Sequence, residues 1–329
     1  MVNSFKSHNP LNIIILFVYG LLLKYSSFSD PSVPIAQSTD GFLYHTLLWY
    51  LKGVGANAPV IYSIIAYILV FTQAITLSNL ISNQRLMTKP NYLPAMSYLL
   101  VTSFFPEWWQ LSSTLIVNTL LVWVWERMSV LYNNSKAKKI LFNIGIVLGV
   151  CSFFYFPSIA FVILMIFALL IMRPFNVTEW LVGLLGITTP YYFLFAYYYL
   201  SDKWDIKTFL PGISLSYPQF QQTIWAWGGL LFLIIPFLLS GYYIQNNILR
   251  MLIQVRKSWS LLLLYLLTSL MVPFINSTST FTYWILSAVP FAAFHANTFF
   301  YPQKKLLPYV LHWAMVIFIL ILNYVVMHS

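Results

Sequence analysis

The chain has 329 residues, of which 60% are hydrophobic and only 7% are charged. A soluble domain carries about a quarter charged residues, so this composition excludes a soluble domain. Lipid cannot hydrogen-bond an open backbone, and the continuous apolar runs lack the alternation of membrane barrel strands. We therefore predict an all-α, polytopic transmembrane helix bundle that forms one domain over residues 1–329.

The formal net charge of +10 would suit nucleic acid, but the basic residues lie in short connections between apolar segments. This distribution instead indicates contact with the anionic lipids of an inner leaflet. The single cysteine, Cys151, excludes an internal disulfide. The sequence indicates no cofactor, no metal site, no nucleic-acid partner and no particular protein partner.

Eleven apolar segments are predicted to span the membrane. In chain order they are Pro10–Phe28, Ala58–Leu80, Tyr92–Phe105, Leu111–Trp125, Ile140–Tyr155, Pro157–Met172, Val177–Leu200, Ile224–Tyr243, Ser258–Ile275, Thr280–Phe300 and Leu307–Met327. The four segments between Tyr92 and Met172 have only 14 to 16 residues. A full crossing needs about 20, so these segments are also compatible with hairpins that dip in and return, which would leave nine or seven spans.

The connections between the segments alternate in charge. With the N-terminus inside, thirteen Lys and Arg residues fall on the inner side and four on the outer side, namely Lys24, Lys52, Lys203 and Lys207. Inner connections of membrane proteins are rich in Lys and Arg, so we predict a cytoplasmic N-terminus and an outer C-terminus. Five of the seven acidic residues fall outside: Asp30, Asp40, Glu107, Asp202 and Asp205.

Two outer connections are long. The first contains residues 40–51, which are rich in aromatic side chains but too short to cross the membrane, and which are predicted to form a helix in the interface. The second covers residues 201–223 and precedes a C-terminal part of four helices at 224–329. Lys24, near the end of the first segment, is expected to extend its ammonium group to the interface.

Asp40 and Glu107 are the leading candidates for acid–base chemistry. Asp40 is either a general base at the membrane surface or the N-cap of the interfacial helix, a position that Asp favours. On a helix, His45 would lie about 140° from Asp40, which is unfavourable for an Asp–His pair. Glu107 stands before two tryptophans, and it is either an acid–base group with a raised pKa or a solvated turn residue in an aromatic belt.

Other polar residues lie within or near the spans. His295 and His312 are too few for a metal site without further ligands, and buried packing is the expected role of both. Pro190 follows two threonines inside a predicted span and is expected to interrupt it, with Tyr191 and later tyrosines lining a lipid or sugar groove or forming an interfacial belt.

The order of these parts resembles the GT-C superfamily of glycosyltransferases that use polyprenyl-phosphate sugars. The resemblance covers about residues 12–200 and includes Leu93-Pro94, Ser103-Phe-Phe-Pro106, Gly145 with Gly149, and Pro157. It implies transfer of a sugar from a polyprenyl-linked substrate at the outer face. As a whole, the chain also looks like an inner-membrane family of Bacteroidota without an assigned function.

The resemblance also implies roles for residues at the outer face. Asp40 or Asp30 matches the catalytic carboxylate of the first loop, and Glu107 matches a second acidic position. The predicted substrate-binding residues are His45, Lys52, Trp108, Tyr191 and Lys203. The chain departs from the superfamily because its predicted outer face contains no Arg to hold a lipid phosphate. The alternative is therefore an inactive relative, a non-catalytic membrane scaffold or a transporter component.

Overall fold

The structure, a computed structural model, describes residues 2–55, 57–202, 214–217, 223–276, 281–302, 304 and 306–328. Within these ranges every regular element is a helix, and β pairing is limited to two isolated bridges, Asp40 with Tyr155 and Leu215 with Ile275. The predicted all-α class is confirmed.

Fourteen α-helices occupy the described ranges. They are α1 Val2–Phe5, α2 Leu11–Leu23, α3 Tyr25–Ser29, α4 Phe42–Gly55, α5 Val60–Asn83, α6 Leu93–Val101, α7 Ser113–Ser129, α8 Ala137–Phe154, α9 Phe161–Met172, α10 Val177–Leu200, α11 Ile224–Asn247, α12 Ile253–Met271, α13 Ala288–Phe300 and α14 Leu306–His328. Short 3-10 segments cover Pro106–Trp108, Phe156–Ala160, Ile248–Arg250, Val272–Phe274 and Phe281–Ser287.

Six helices in the described part of the chain are long and apolar enough to cross a membrane. They are Val60–Asn83, Ala137–Phe154, Val177–Leu200, Ile224–Arg250, Ile253–Phe274 and Leu306–Val325. The chain is therefore a membrane protein. Two shorter apolar helices, Leu11–Leu23 and Phe156–Met172, also lie among the predicted spans.

Four of the predicted spans are not continuous α-helices: the sixth begins with the 3-10 segment Phe156–Ala160, and the ninth ends with the 3-10 segment Val272–Phe274. The first consists of α2 and α3, which meet at Lys24, and the tenth begins as the 3-10 segment Phe281–Ser287 before α13. By contrast, α10 runs through Pro190 without ending, so the predicted interruption is wrong. The Thr189 hydroxyl donates to the carbonyl of Leu185, 2.6 Å away, in the turn before the proline.

Two short helices, α6 and α13, are the most buried of the bundle. All nine residues of α6 are buried, and in α13 every residue from Ala288 to Phe299 is buried. The two helices pack against each other, with α5 and α11 on their flanks. Because both helices are buried on all sides, α6 and α13 form the centre and the longer helices surround them.

Helices α8 and α10 make the closest helix–helix contact through glycines. A Cβ atom on Gly145 would lie 2.4 Å from the carbonyl oxygen of Gly183, and one on Gly186 would lie 2.4 Å from the carbonyl oxygen of Phe142. Small residues let membrane helices approach backbone to backbone. This contact fixes α10 against α8, and thereby places Tyr191 beside the C-terminal end of α8.

Polar side chains connect the central helices. The amide of Gln73 donates to the carbonyl of Leu115 at 2.8 Å, while its oxygen accepts a hydrogen bond from Tyr98. The Asn118 amide in turn donates to the Tyr98 hydroxyl at 2.8 Å. Buried polar groups need partners, so this network sets the relative positions of α5, α6 and α7.

The outer connections pack on one another at one end of the bundle, which we call the acidic end because Asp30, Asp40, Glu107 and Asp202 lie in its connections. The Tyr44 hydroxyl donates to the carbonyl of Leu111 at 2.9 Å. The Trp108 indole donates to the carbonyl of Phe281 at 3.0 Å.

The Lys- and Arg-rich connections meet at the opposite, basic end. Arg173 forms a salt bridge with Glu179 at 2.6 Å and also donates to the carbonyl of Asn134 at 3.2 Å. The Lys257 ammonium lies 4.5 Å from the centre of the Tyr132 ring. Most Lys and Arg residues of the connections thus lie at the basic end and most acidic residues at the other, with Glu179 and Lys52 as exceptions.

Candidate functional site

Asp40 lies where the first outer connection joins the end of α8. It forms an isolated antiparallel bridge with Tyr155, and the next amide, that of Gly41, donates to the carbonyl of Phe154 at 2.7 Å. A Cβ atom on Gly41 would lie only 2.0 Å from the carbonyl oxygen of Phe153. Glycine is therefore required for this close approach, which fixes Asp40 against α8.

The Asp40 carboxylate is half-buried and held by two hydrogen bonds. Its Oδ2 accepts from the amide of Gln37 at 2.8 Å, and its Oδ1 accepts from the Ser113 hydroxyl in the first turn of α7. Burial raises the pKa of Asp40 above its ordinary value, whereas the bonds from Ser113 and Gln37 and the nearby His45 oppose that rise. The balance favours a carboxylate that takes up a proton more readily than one in water.

Asp40 opens onto a cleft of about 230 Å³ at the acidic end. The cleft is lined by Ser38, Thr39, Asp40, Gly41, Phe42, His45, Ser152, Phe153, Phe156, Tyr191, Leu194 and Asn276. The Ser152 and Tyr191 hydroxyls are 2.6 Å apart, which couples α8 to α10 on the far wall. The cleft offers a carboxylate, an imidazole and hydroxyls on a mainly apolar surface.

Two expectations for Asp40 are corrected by its position. Helix α4 begins at Phe42, so Asp40 precedes it, and the helical angle that separated Asp40 from His45 does not apply. Both residues line the same cleft. The capping role is also wrong, because the carboxylate bonds in the described part of the chain go to Gln37 and Ser113 rather than to the first amides of α4.

Asp30 lies in a second cleft of about 140 Å³, which also contains Ser26, Ser27, Ser32, Tyr62, Ser63, Pro106, Trp109, Gln110 and Leu111. The two clefts flank the connection between α6 and α7. Leu111 lines the second cleft, and Ser113 bonds Asp40 in the first. Asp30 and Asp40 are therefore near the same connection but do not share a cavity.

Glu107 and Trp108 lie outside both clefts. Glu107 is exposed at the surface of the turn, yet the protein around it raises its pKa by desolvation. Trp108 is buried, and its indole stacks on Phe281, with ring centres 5.8 Å apart. The expected substrate-binding role of Trp108 has no support from this placement, because the ring packs the connection against the 3-10 segment instead.

The lysines expected at the outer face differ in their placement. Lys52 is exposed on the last turns of α4 and lines neither cleft. Lys203 lies outside the described residues. Lys24 does not extend to the interface as expected: it is only 2% exposed, and its ammonium donates to the carbonyl of Thr102 at 2.6 Å. That carbonyl ends α6, where a cation is favourable.

His295 and His312 are both buried in the bundle. His295 Nε2 lies 2.9 Å from the carbonyl of Leu233, and His312 Nε2 lies 3.1 Å from the Tyr19 hydroxyl. Among the described residues, no group of three or more His, Cys, Asp or Glu side chains is arranged to hold a metal ion. The two histidines connect helices of the core.

Ser113 and Ser152 are site residues that the sequence did not single out. Ser113 follows Ser112, whose hydroxyl accepts from the amide of Leu115 and caps α7. Two consecutive serines at a helix start predict an N-cap. Ser112 is the cap, and the Ser113 hydroxyl bonds Asp40 instead. Ser152 carries no such signal, because its partner Tyr191 lies 39 residues later in the chain.

Comparisons with known proteins give one match. A family of unknown function, DUF6427, matches residues 45–329. The matched part contains His45, Ser113, Ser152 and Tyr191 of the first cleft, whereas Asp30 and Asp40 precede it. No curated protein and no solved structure matches the chain. Because the match covers most of the sequence, the chain belongs to the DUF6427 family.

Proposed function

We propose that this protein crosses a bacterial inner membrane eleven times, with the acidic end outside, and binds a polyprenyl-linked sugar in the Asp40 cleft. The alternation of charged connections and their separation at two ends of the bundle support this orientation. The short segments α6 and α13 count as crossings because each connects the two ends while surrounded by protein, where a lipid-matched length is not required.

The half-buried carboxylate of Asp40 is the observation on which the function depends. It lies in a cleft with His45 and is held by Ser113, so its position is fixed before a substrate arrives. Its raised pKa suits a general base. The apolar side chains of the cleft, including Phe42 and Leu194, suit the first isoprene units of the lipid, and the hydroxyls of Ser152 and Tyr191 suit a sugar.

The proposed reaction is transfer of the sugar to an acceptor hydroxyl. Asp40 accepts the proton of that hydroxyl while its oxygen forms a bond to the anomeric carbon of the donor. The bond between this carbon and the phosphate oxygen breaks, and polyprenyl phosphate leaves with the electron pair. His45 lines the same cleft. Its proposed role is to hydrogen-bond the acceptor or the sugar.

A second candidate function is that of a non-catalytic membrane component. It is favoured by the same hydrogen bonds, because Asp40 also ties the first outer connection to α7 and, through its bridge with Tyr155, to α8. In this role the carboxylate would be a structural connector of an envelope scaffold, and the superfamily resemblance would concern the fold alone.

Replacement of Asp40 by Asn separates the two candidates. Asn keeps an oxygen that accepts from Ser113 but cannot accept a proton at neutral pH, so Asp40→Asn should abolish rescue of a deletion strain while the membrane level stays normal on a blot. Glu107→Gln, which changes an outer carboxylate that lines neither cleft, is the matched control and should rescue. Full rescue by Asp40→Asn would exclude the catalytic role and favour the scaffold.

Bound lipid provides a direct readout. Native mass spectrometry of the gently purified protein should show a polyprenyl-phosphate species whose amount is preserved in Asp40→Asn, because that variant removes the base rather than the cleft. If the wild-type protein carries no such lipid after incubation with polyprenyl-phosphate mannose or glucose in nanodiscs, the proposed substrate class is wrong.

A further inference from the structure

The second cleft contains polar groups that the protein itself leaves unused. In the part of the chain that the structure describes, the carboxylate of Asp30, the hydroxyl of Ser32 and the amide of Gln110 have no hydrogen-bond partner, and all three side chains are exposed. Other polar groups of this cleft are occupied: the Ser63 hydroxyl donates to the carbonyl of Ser27 at 2.7 Å, and Ser26 bonds Asn323.

Asp30 differs from Asp40 in this respect. Asp40 is engaged by Ser113 and Gln37, whereas Asp30 forms no ion pair within the described ranges. Lys24 is the cation nearest to Asp30 in sequence, but its ammonium donates to the carbonyl of Thr102. The cleft therefore presents an uncompensated negative charge.

The chemistry of the lining selects a cation that can donate several hydrogen bonds. An anion would be repelled by Asp30, and one carboxylate among neutral oxygens is a poor set for a divalent metal ion. A primary ammonium donates three hydrogen bonds, which Asp30, Ser32 and the Gln110 carbonyl can accept. Tyr62 and Trp109 complete the wall, and aromatic rings favour a cation.

The size and place of the cleft indicate where such an ammonium comes from. At about 140 Å³ the cleft is smaller than the Asp40 cleft of about 230 Å³, and its volume suits a headgroup rather than a whole lipid. It lies at the acidic end beside an aromatic turn. On the orientation proposed above, on which this step rests, that end meets the headgroups of the outer leaflet. A headgroup can enter it while the acyl chains stay in the bilayer.

We infer that the cleft formed by Asp30, Ser32, Tyr62, Trp109 and Gln110 binds the primary ammonium of an ethanolamine phospholipid from the outer leaflet. The site is separate from the Asp40 cleft and does not depend on sugar transfer. This site would also explain why Asp30 is present at the acidic end, since its carboxylate then balances the positive charge of the bound ammonium.

The test uses the full chain in nanodiscs that contain equal amounts of phosphatidylethanolamine and phosphatidylglycerol. Native mass spectrometry should show retained phosphatidylethanolamine on the wild-type protein. The amount should fall about tenfold in Asp30→Asn, which removes a charge-assisted hydrogen bond but keeps the shape of the side chain.

Two control variants should retain the lipid. Glu107→Gln changes an exposed acid outside the cleft, and Asp30→Glu keeps the charge. Equal retention by Asp30→Asn and the wild-type protein would overturn the inference, as would an equal loss in Glu107→Gln.

Soluble ethanolamine distinguishes the lipid from a free amine. In phosphatidylglycerol nanodiscs, saturation-transfer NMR should show no bound ethanolamine at millimolar concentration if the headgroup needs its acyl anchor. Binding that is lost in Asp30→Asn would overturn the lipid assignment in favour of a free amine. The folded state of Asp30→Asn is checked by thermal unfolding, which should match that of the wild-type protein because Asp30 is exposed.

Discussion

The Ser113 hydroxyl donates a hydrogen bond to the Asp40 carboxylate across 73 residues of chain. This bond joins the first turn of α7 to the first outer connection, and it lowers the pKa of an acid whose pKa burial raises. The protonation state of the candidate site is therefore set by two elements that are far apart in sequence.

Replacing Ser113 by Ala should raise the pKa of Asp40 further, because the side-chain bond that lowers it is lost. Ionisation would then need a higher pH, and the acid limb of any Asp40-dependent activity would move to higher pH. Infrared difference spectroscopy of the carboxylate band during a pH titration measures this shift. Ser112→Ala is the control: it removes the cap of α7, which costs about 1 kcal/mol of stability, but should leave the Asp40 titration unchanged. An unchanged titration in Ser113→Ala would contradict the prediction.

Asp40→Asn should not destabilise the protein at neutral pH. The pKa of Asp40 is raised in the folded state above the value of 3.8 that represents the unfolded chain, so folding favours the protonated acid. Its contribution to stability is complete below pH 3.8 and is lost as the pH rises through the folded-state pKa. The Asn side chain carries no charge, so the variant does not lose stability through ionisation as the pH rises. Thermal unfolding from pH 4 to pH 8 should show that the variant loses less stability with rising pH than the wild-type protein does; a steeper loss in the variant would refute the argument.

The sequence predicted the helices well because their signals are local. Long apolar runs and the alternation of Lys- and Arg-rich connections identify membrane segments without any knowledge of contacts. The aromatic segment after Asp40 also proved to be a helix, although it begins at Phe42 and ends at Gly55. The breaks at Lys24 and in the segment before Ala288 were missed, because each predicted span was taken as one continuous helix.

The site was predicted only in part because it is assembled from distant contacts. Asp40 and Tyr191 were identified by residue type, but nothing local indicates that they share a cleft. The expected helical angle of about 140° between Asp40 and His45 does not apply, because the helix begins at Phe42, two residues after the predicted start. Trp108 has the side chain of a binding residue, yet its stacking on Phe281 depends on a segment 173 residues away.

Gly41→Ala should disturb the Asp40 cleft. The new Cβ atom would lie 2.0 Å from the carbonyl oxygen of Phe153, so the first connection must move away from α8. Such overpacking typically costs about 1–3 kcal/mol. Gly53→Ala, in the same region but with no atom within 4 Å of its Cβ, should be neutral or slightly stabilising. Thermal unfolding in detergent compares the two variants, and similar melting temperatures would show that Gly41 is not needed for the close approach.

Gly145→Ala should separate α8 from α10. Its Cβ atom would lie 2.4 Å from the carbonyl oxygen of Gly183, which is backbone and cannot rotate aside. Gly241→Ala is the matched control, since it also replaces a helical glycine but meets no atom within 4 Å. We expect Gly145→Ala to lower the melting temperature and to lengthen the distance between Ser152 and Tyr191. A disulfide between Ser152→Cys and Tyr191→Cys should therefore form less readily in the Gly145→Ala background than with Gly241→Ala.

Single cysteines at Ser135 and Ser216 test the orientation of the bundle. Ser135 lies between α7 and α8 beside Asn134, whose carbonyl accepts from Arg173 at the basic end. Ser216 is exposed, and its amide donates to the carbonyl of Phe274 at 3.1 Å, at the acidic end.

After Cys151→Ser removes the native thiol, a membrane-impermeant maleimide added to spheroplasts should label Ser216→Cys alone, and Ser135→Cys should react only after the membrane is opened. The positive charge of the basic end favours the cytoplasm, so the reverse pattern would place the Asp40 cleft on the inner side, away from polyprenyl-linked sugars of the outer face. Labelling of both positions in intact spheroplasts would mean that the basic and acidic ends do not lie on opposite sides of the membrane.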